Sequence, residues 1–339
     1  MRRAGDLFPG VVDFLALCRA ARRSARGKYD RPDVAAFMDD LEPRALALRR
    51  ALTEGSWRPA PFQVFTIADP KPRTICAPPF ADRVVHTSLV EVVGPVLERG
   101  AIHRSFACRV GKGSHAAVRE LQRLVRRHGA FLKIDIRAYF ASIDRVILGT
   151  ALRRRLKDRQ VLALLDLIAT EQPPGATPGR GLAIGSLVSQ HLANFYLEPL
   201  DRWLLEERRL PHVRYMDDLA ILAPEPDRLR ALLPELRGFL WDRLCLELRD
   251  SATLRAPTAH GVPFLGFQVF PRMIRLGPRA RRRVAGRVRL LERWRRRDDP
   301  RFEGAVEGLR SALAHVQTAD SHRLLACLSG GGIRGPPTG

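Results

Sequence analysis

The chain has 339 residues, enough for two or three coupled subdomains rather than one small core. It carries 58 Lys and Arg against 36 Asp and Glu, a formal net charge of +22. Such an excess is typical of proteins that bind nucleic-acid backbones, although an arginine-rich proteome would produce part of it. There is no apolar run of roughly 18 residues, no secretory signal and no paired cysteine motif. We therefore expect a reduced, cytoplasmic protein without membrane contact.

Hydrophobic periodicity predicts a mixture of helices and short strands. In the first half of the chain we expect helices across 11–53 with a break at 27–32, a hairpin over 62–76, helices over 81–98 and 114–128, and a strand over 130–136. Next come a helix over 145–168 and a helix from about 189 to 208. The remainder is expected to form a hairpin with strands 213–216 and 219–222, a helix over 226–243, short strands up to 267, and helix from 278 onward. The Gly- and Pro-rich segment 330–339 is expected to be disordered.

Three carboxylates stand at the ends of predicted strands. Asp217 and Asp218 lie at or beside the turn of one hairpin, and Asp135 ends the apolar strand Phe131–Ile134. Paired acids in a turn are usually only solvated. Three strand-end acids without a His or Cys set among them, however, suit hard cations such as Mg²⁺. Two such cations can clamp the attacking and leaving oxygens in phosphoryl transfer.

Arginine is densest in segment 272–297, which holds twelve arginines and one acid. Arg281, Arg282 and Arg283 precede an apolar stripe that begins at Val284. A charge run can be a solvated helix face, but one sign dominates here. The pattern therefore favours contact with a nucleic-acid backbone.

The order of these features resembles the palm of reverse transcriptases: Asp135 at a strand end, a Gly-rich loop with a helix, the Tyr-x-Asp-Asp pair at Asp217 and Asp218, and Phe264-Leu265-Gly266-Phe267. The resemblance covers roughly 55–325 and implies an α+β right-hand polymerase with an antiparallel palm sheet. The expected domains are a helical region 1–54, fingers 55–130, palm 131–270 with a fingers insertion at about 173–190, thumb 271–329 and tail 330–339.

The resemblance also implies roles for individual residues. Two Mg²⁺ ions, or Mn²⁺ in their place, are expected at Asp135, Ile136, Asp217 and Asp218, with Asp218 either a metal ligand or a structural one. Phe264, Leu265 and Gly266 match the primer grip. Phe140 matches the aromatic residue that crowds a ribose 2′-OH, with core packing as its alternative. The expected nucleotide-binding residues are Lys71, Arg73, Phe140, Ile184, Gly185 and Gln190.

The central loop departs from the common reverse transcriptase pattern. Ile184 stands where many relatives have glutamine, and Gln190 where they have proline. This form resembles the reverse transcriptases of diversity-generating retroelements, as do segments 69–73, 82–86, 105–117 and 314–320. The resemblance implies copying of a template-repeat RNA from dNTPs into cDNA, through an RNA/cDNA duplex, with misincorporation opposite adenine. It also implies a small basic accessory protein as partner.

Two other interpretations stay open. The chain ends soon after the predicted thumb, so we expect no RNase H, endonuclease or maturase extension. A retron-type or phage-defence reverse transcriptase is the nearest alternative enzyme. A catalytically silent RNA-binding protein on a polymerase scaffold is the alternative of another class, and retention of all three aspartates argues against it.

Overall fold

The computed structural model describes residues 3–67, 73–171, 176–295 and 319. Its helices are α1 Phe8–Val11, α2 Phe14–Ala25, α3 Pro32–Asp39, α4 Leu41–Thr53, α5 Phe80–Glu98, α6 Ser114–Val125, α7 Tyr139–Ser142, α8 Arg145–Arg155, α9 Arg159–Thr170, α10 Leu187–Tyr196, α11 Glu198–Arg202, α12 Pro226–Leu244 and α13 Pro278–Arg295. Its strands are β1 Gln63–Ile67, β2 Arg73–Ala77, β3 Ala130–Ile134, β4 His212–Tyr215, β5 Asp218–Ala223, β6 Leu254–Pro257, β7 Val262–Phe264, β8 Phe267–Val269 and β9 Ile274–Leu276.

In the three sheets of the described part of the chain, every pair of neighbouring strands is antiparallel. The predicted α+β class with antiparallel sheets is therefore confirmed. The chain forms two compact units, which are described separately. The first comprises Met1–Ile102, Ile136–Trp203 and Leu236–Glu247, and the second comprises the remaining segments. In the part of the chain that is described, no helix is long and apolar enough to cross a membrane.

The first unit is mainly helical and is built around α5. Side chains such as Val85, Leu89 and Val93 are buried, and α5 packs against α2 and α10. A helix that is apolar on most of its circumference is stable only when other elements cover it. The buried hydroxyl of Ser88 is satisfied because it donates to the carbonyl of Val11 at 2.7 Å. This helical core carries the hairpin β1–β2, whose first strand is exposed along its whole length.

The second unit contains a four-stranded sheet in the order β4-β5-β3-β6. β3 lies in the centre of the sheet and is apolar at four of its five positions, as expected for a strand covered on both faces. A core cluster joins one face of this sheet to α6, to the three-stranded sheet β7-β8-β9 and to the first turns of α13. These elements come from three separate segments of the chain, and the buried cluster that they share gives the second unit its own hydrophobic core.

An additional segment covers the edge of β4. Phe106 donates its backbone N–H to the carbonyl of Arg214, and the N–H of Arg214 donates to the carbonyl of Arg104, both at 3.0 Å. Ser105 thereby forms a parallel bridge with Arg214. The opposite edge is β6, which ends at Pro257, a residue that has no N–H to offer a further strand.

Two of the predicted helices are interrupted. The helix predicted over 145–168 is wrong as a single element, because α8 ends at Arg155 and α9 begins at Arg159. Asp158 caps α9 by accepting hydrogen bonds from the backbone of Gln160 and Val161, and this cap fixes a new helix start. The helix predicted from 189 to 208 is likewise divided into α10, α11 and a π-helical turn, with Pro199 in the first turn of α11.

Two neighbouring acids, one buried and one half-buried, lie in the first unit. Asp82 is buried and accepts a hydrogen bond from the backbone of Ala60 at 2.8 Å. Oε2 of Glu171 is buried and, within the residues that are described, has no hydrogen-bond partner. Burial, followed by the neighbouring charge of Asp82, raises the pKa of Glu171 to about 7. Glu171 therefore retains its proton in the folded protein at pH values where the unfolded chain has lost it.

This shift predicts that stability falls as the pH rises from the ordinary glutamate value of 4.5 to about 7. Glu171→Gln removes the ionisation and should stabilise the protein at pH 8 by roughly 1–2 kcal/mol, less than the full shift because the carboxyl group retains some solvent access. At pH 5 the free energies of unfolding of the two proteins should be nearly equal. Urea unfolding at both pH values measures the difference. Glu54→Gln, at an exposed position, is the control for the loss of one acid. An equal gain in the free energy of unfolding in that variant would mean that the burial of Glu171 is not the cause.

Candidate active site

Strand register brings two of the three predicted acids together. Ile134, the last residue of β3, pairs with Leu219 of β5, so Asp135, which follows β3 directly, comes opposite Asp218, the first residue of β5. Because residues that lie opposite each other in a sheet point to the same side, Asp135 and Asp218 share a face. Tyr215 pairs with Asp218 and closes the β4–β5 hairpin, which leaves Met216 and Asp217 as its two-residue loop. All three acids thus lie at one end of the β3–β5 pair.

The backbone of this loop is in an uncommon conformation. Met216 has a φ of 54°, in the left-handed region that costs a residue with a side chain about 1 kcal/mol or more. Arg214 is fully buried, and its Nη1 donates to the carbonyl of Met216 at 3.3 Å. A buried guanidinium needs acceptors, and the loop carbonyl is one of them. Arg214 therefore helps to hold the loop that carries Asp217.

The Asp218 carboxylate contacts two groups of the protein, one from a side chain and one from the backbone. Nζ of Lys133 lies 3.2 Å from Oδ1 of Asp218, and the backbone N–H of Leu265 donates to the same carboxylate. Burial raises the pKa of Asp218, while Lys133 and the Leu265 N–H act in the opposite direction. Because Leu265 lies in the turn of the β7–β8 hairpin, the Asp218 side chain links that turn to the β4–β5 hairpin.

Asp135 is also bound twice, in both cases by Arg249. Nη1 of Arg249 lies 2.8 Å from Oδ2 of Asp135, and the backbone N–H of Arg249 donates to the Asp135 carbonyl at 2.9 Å. Arg249 precedes β6, the strand that pairs with β3. Side-chain and backbone contacts therefore fix Asp135 at the end of its strand.

The donor set is chemically suited to a divalent cation, because carboxylate oxygens are the ligands that Mg²⁺ prefers. Across the described residues, however, no three His, Cys, Asp or Glu side chains form a ready metal-binding group. The acids Asp135 and Asp218 are engaged by Arg249 and Lys133 instead. Ile136 has a fully buried hydrocarbon side chain, so only its backbone carbonyl could be a metal ligand.

The predicted hairpin at Phe264–Phe267 is present, with Leu265 and Gly266 as its loop. Both loop residues have positive φ, 49° and 83°, as a two-residue turn matched to strand twist requires. The backbone of Gly277 donates to the carbonyl of Gly266 at 2.8 Å, immediately before α13 begins. A side chain at Gly277 would meet that carbonyl at 2.8 Å, so the close approach requires glycine.

The described arginine side chains of α13 lie on the solvent side of that helix. Arg281, Arg282 and Arg283 are exposed, whereas Val284 and Val288 are buried. The apolar stripe predicted from the sequence is therefore the packed face, and the basic run forms the outer surface. Arg296, Arg297 and nearly all of the 314–320 segment lie outside the described residues.

The predicted nucleotide-binding residues that are described lie in the first unit. The backbone of Leu182 donates to the carbonyl of Phe140 at 2.8 Å, and Cys76 of β2 donates to the carbonyl of Ile184 at 2.7 Å. These bonds attach the Gly-rich loop to α7 and to β2. Arg73 is exposed at the start of β2, and Gln190 lies in the first turn of α10. Lys71 lies outside the described residues.

Sequence reasoning did not single out Lys133, Arg214 or Arg249. Lys133 had a signal, because a lysine two residues before Asp135 in an apolar strand must share its face. Arg214 stands next to the Tyr-x-Asp-Asp motif, but burial of an arginine is unusual and is not visible in sequence. Arg249 lies in a segment without a motif, more than a hundred residues from Asp135, and no local pattern indicates the pairing.

Sequence similarity links this chain to a known protein family. The family model described as reverse transcriptase (RNA-dependent DNA polymerase) matches residues 68–269. Protein YkfC of Escherichia coli K12 is 23% identical over 274 residues, covering 68% of this chain and 72% of YkfC. The group II intron-encoded protein LtrA of Lactococcus lactis is 24% identical over 229 residues, covering 64% of this chain but only 38% of LtrA. A solved apo telomerase from Candida tropicalis has a TM-score of 0.49 at 9% identity, covering 65% of this chain and 49% of that one.

Gly185 provides a test of how the Gly-rich loop contacts β2. Its φ is +123°, and an added Cβ would lie 2.6 Å from the carbonyl oxygen of Cys76. Gly185→Ala should therefore lower the free energy of unfolding by about 1–3 kcal/mol, measured by urea denaturation. Gly55→Ala is the matched control, because Gly55 also has positive φ but nothing within 4 Å. Equal losses in the two variants would mean that the loop does not pack against β2.

Proposed function

The chain belongs to the reverse transcriptase family, the RNA-dependent DNA polymerases, and on this premise we propose that it copies a template-repeat RNA into cDNA for a diversity-generating retroelement. The observation that carries the polymerase assignment is the register of β3 and β5. It sets Asp135 beside Asp218 and leaves Asp217 in the adjoining loop. Three acids at one end of a strand pair are an arrangement suited to nucleotidyl transfer by metal ions.

Asp135 and Asp217 are the proposed catalytic metal ligands, with the backbone carbonyl of Ile136 as a further donor. Bound Mg²⁺, or Mn²⁺, would supply positive charge to the attacking 3′-oxygen and the pyrophosphate leaving group. Asp218 has a mainly structural role in this proposal, because Nζ of Lys133 lies 3.2 Å from its Oδ1 and the Leu265 N–H donates to the carboxylate, although Oδ1 is buried without a geometrically defined hydrogen bond among the described residues. Arg214 contributes by holding the loop that presents Asp217.

Two surfaces of the second unit are proposed to hold nucleic acid. The Leu265–Gly266 turn, with Phe264 behind it, is the proposed primer grip, and its bond to Asp218 ties it to the catalytic loop. The exposed Arg281, Arg282 and Arg283 would contact phosphates of the template or of the RNA/cDNA duplex. The net charge of +22 supports a polyanionic partner.

The nucleotide is proposed to contact residues of the first unit. Arg73, together with Lys71, would bind the triphosphate, because arginine matches phosphate geometry with two donors. Phe140 would exclude a ribose 2′-OH and so favour dNTPs. Ile184, Gly185 and Gln190 would line the base and sugar. An apolar side chain at Ile184 removes a hydrogen-bonding group from this pocket, so base choice would depend more on pairing alone.

The assignment to diversity-generating retroelements depends on the Ile184…Gln190 form of the central loop and on the resemblance of segments 69–73, 82–86 and 105–117. It implies adenine-directed misincorporation and a small basic accessory protein, which could be oligomeric. A retron-type or phage-defence reverse transcriptase is the alternative enzyme. An adjacent pair of near-repeats differing at adenines in the genome would favour the first assignment, and a structured retron RNA gene would favour the second.

Asp217→Asn tests the catalytic assignment. The amide keeps the shape of the side chain but removes its charge, so primer extension should slow by roughly two to three orders of magnitude. The affinity for template RNA should be nearly unchanged because the arginines of α13 are intact. Single-turnover extension and filter binding measure the two quantities. Asp227→Asn, an exposed acid on α12 in the same unit, is the control that should retain full activity.

The reciprocal variant replaces Arg281, Arg282 and Arg283 with Gln. It should weaken RNA binding and flatten the salt dependence, by a log–log slope of about 0.7–0.9 for each phosphate that the variant no longer neutralises. The chemical step on bound primer should be retained. Near-normal primer extension by Asp217→Asn would contradict the catalytic assignment of Asp217. An unchanged salt slope in the triple variant would contradict the assignment of these arginines to nucleic-acid binding.

Ile184→Gln tests the proposed low fidelity. If the amide restores a hydrogen bond near the nucleotide, misincorporation opposite template adenine should fall by about fivefold, the equivalent of roughly 1 kcal/mol in discrimination. Errors opposite the other bases should change less. The per-base error spectrum of cDNA made on one template measures the effect, with Ile184→Leu as the apolar control. If the misincorporation rate opposite adenine is unchanged, or if it falls equally opposite all four template bases, Ile184 does not determine the selectivity.

A further inference from the structure

The proposed metal ligand Asp135 and its neighbour Asp218 each have a basic partner, but the two ion pairs differ. The Lys133–Asp218 pair has side chains 18% and 26% exposed, and Asp218 has a second partner in the Leu265 N–H. The Arg249–Asp135 pair is 35% and 22% exposed. Asp135 therefore faces a more accessible cation than Asp218 does.

An ion pair that solvent can reach is weak, because water screens the attraction and two long side chains must be held in place. A divalent cation carries twice the charge of a guanidinium and binds carboxylate oxygens directly. It can therefore replace Arg249 at Asp135. The backbone bond from the Arg249 N–H to the Asp135 carbonyl does not involve the carboxylate, so it can persist while the side chain moves.

We propose that Arg249 is a positioning residue that holds the Asp135 carboxylate in the metal-free enzyme and releases it when the catalytic cation binds. The inference rests on the proposed function of Asp135 as a metal ligand. Arg249 places a positive charge 2.8 Å from the Asp135 carboxylate, and it keeps that carboxylate at the end of β3. Metal affinity then reflects a competition between the cation and the guanidinium for one carboxylate.

The experiment measures Mn²⁺ binding to the full chain without nucleic acid, by the electron paramagnetic resonance signal of free Mn²⁺. Arg249→Gln should bind Mn²⁺ about two- to fivefold more tightly than the unchanged protein, the range that corresponds to a partly exposed ion pair. Arg249→Ala provides a second neutral variant that should agree with it. Thermal unfolding without metal identifies any variant that fails to fold.

Two controls separate this inference from its premise. Arg255→Gln removes one positive charge from an exposed position on β6, and it should leave Mn²⁺ affinity unchanged. Asp135→Asn should weaken binding strongly, and unchanged binding there would overturn the metal assignment and this proposal together. If Asp135→Asn weakens binding but the Arg249 variants bind Mn²⁺ equally or more weakly, Arg249 does not compete and the proposal fails. If Arg255→Gln binds Mn²⁺ as tightly as the Arg249 variants do, the gain in affinity comes from net charge, and the proposal also fails.

Discussion

The pairing of β3 with β5 is the constraint on which the candidate active site depends. Side chains alternate along a strand, so a slip of one residue would turn Asp135 and Lys133 to the opposite face of the sheet. The register is fixed by burial, because Phe131 and Leu222 pair on the core face while Leu132 and Ile221 pair on the other. Hydrophobic residues that never contact a substrate thus determine where the acids lie.

Charge balance also shapes the second unit. Acids brought together on one face repel each other, and their desolvation adds to the cost. The protein offsets this cost with Lys133 and Arg249, and it adds a backbone donor, the Leu265 N–H, at the Asp218 carboxylate. The same contact links the loop that carries Asp217 to the Leu265–Gly266 turn and, through Gly266 and Gly277, to α13. The Asp217 loop, the Leu265–Gly266 turn and the start of α13 are therefore linked by successive hydrogen bonds.

Local sequence patterns are sufficient to predict much of this architecture. The hairpin around Asp217 and the strand ending at Asp135 follow from apolar alternation and from turn-forming residues. The helix break at Asp158 is hidden because the apolar period continues across it, although Asp followed by a helical run is a recognisable cap. The partners of Asp135 and Asp218 could not be predicted in the same way. Arg249 lies far along the chain from Asp135, and the Leu265 donor is a backbone group that any residue type except proline supplies. The roles of Ile184, Arg73 and Phe140 and the domain boundaries remain predictions.

The segment around Ser105 protects one edge of the four-stranded sheet from pairing with another chain. An open sheet ends in strands whose free N–H and C=O groups can pair with another chain. Residues 104–106 occupy those groups on β4 at the level of Arg214, next to the loop that carries Asp217. Until that segment docks, β4 presents a hydrogen-bonding edge with His212, Val213 and Tyr215 along it. A polypeptide truncated to begin after residue 106 would therefore expose this edge as a template for intermolecular β-pairing.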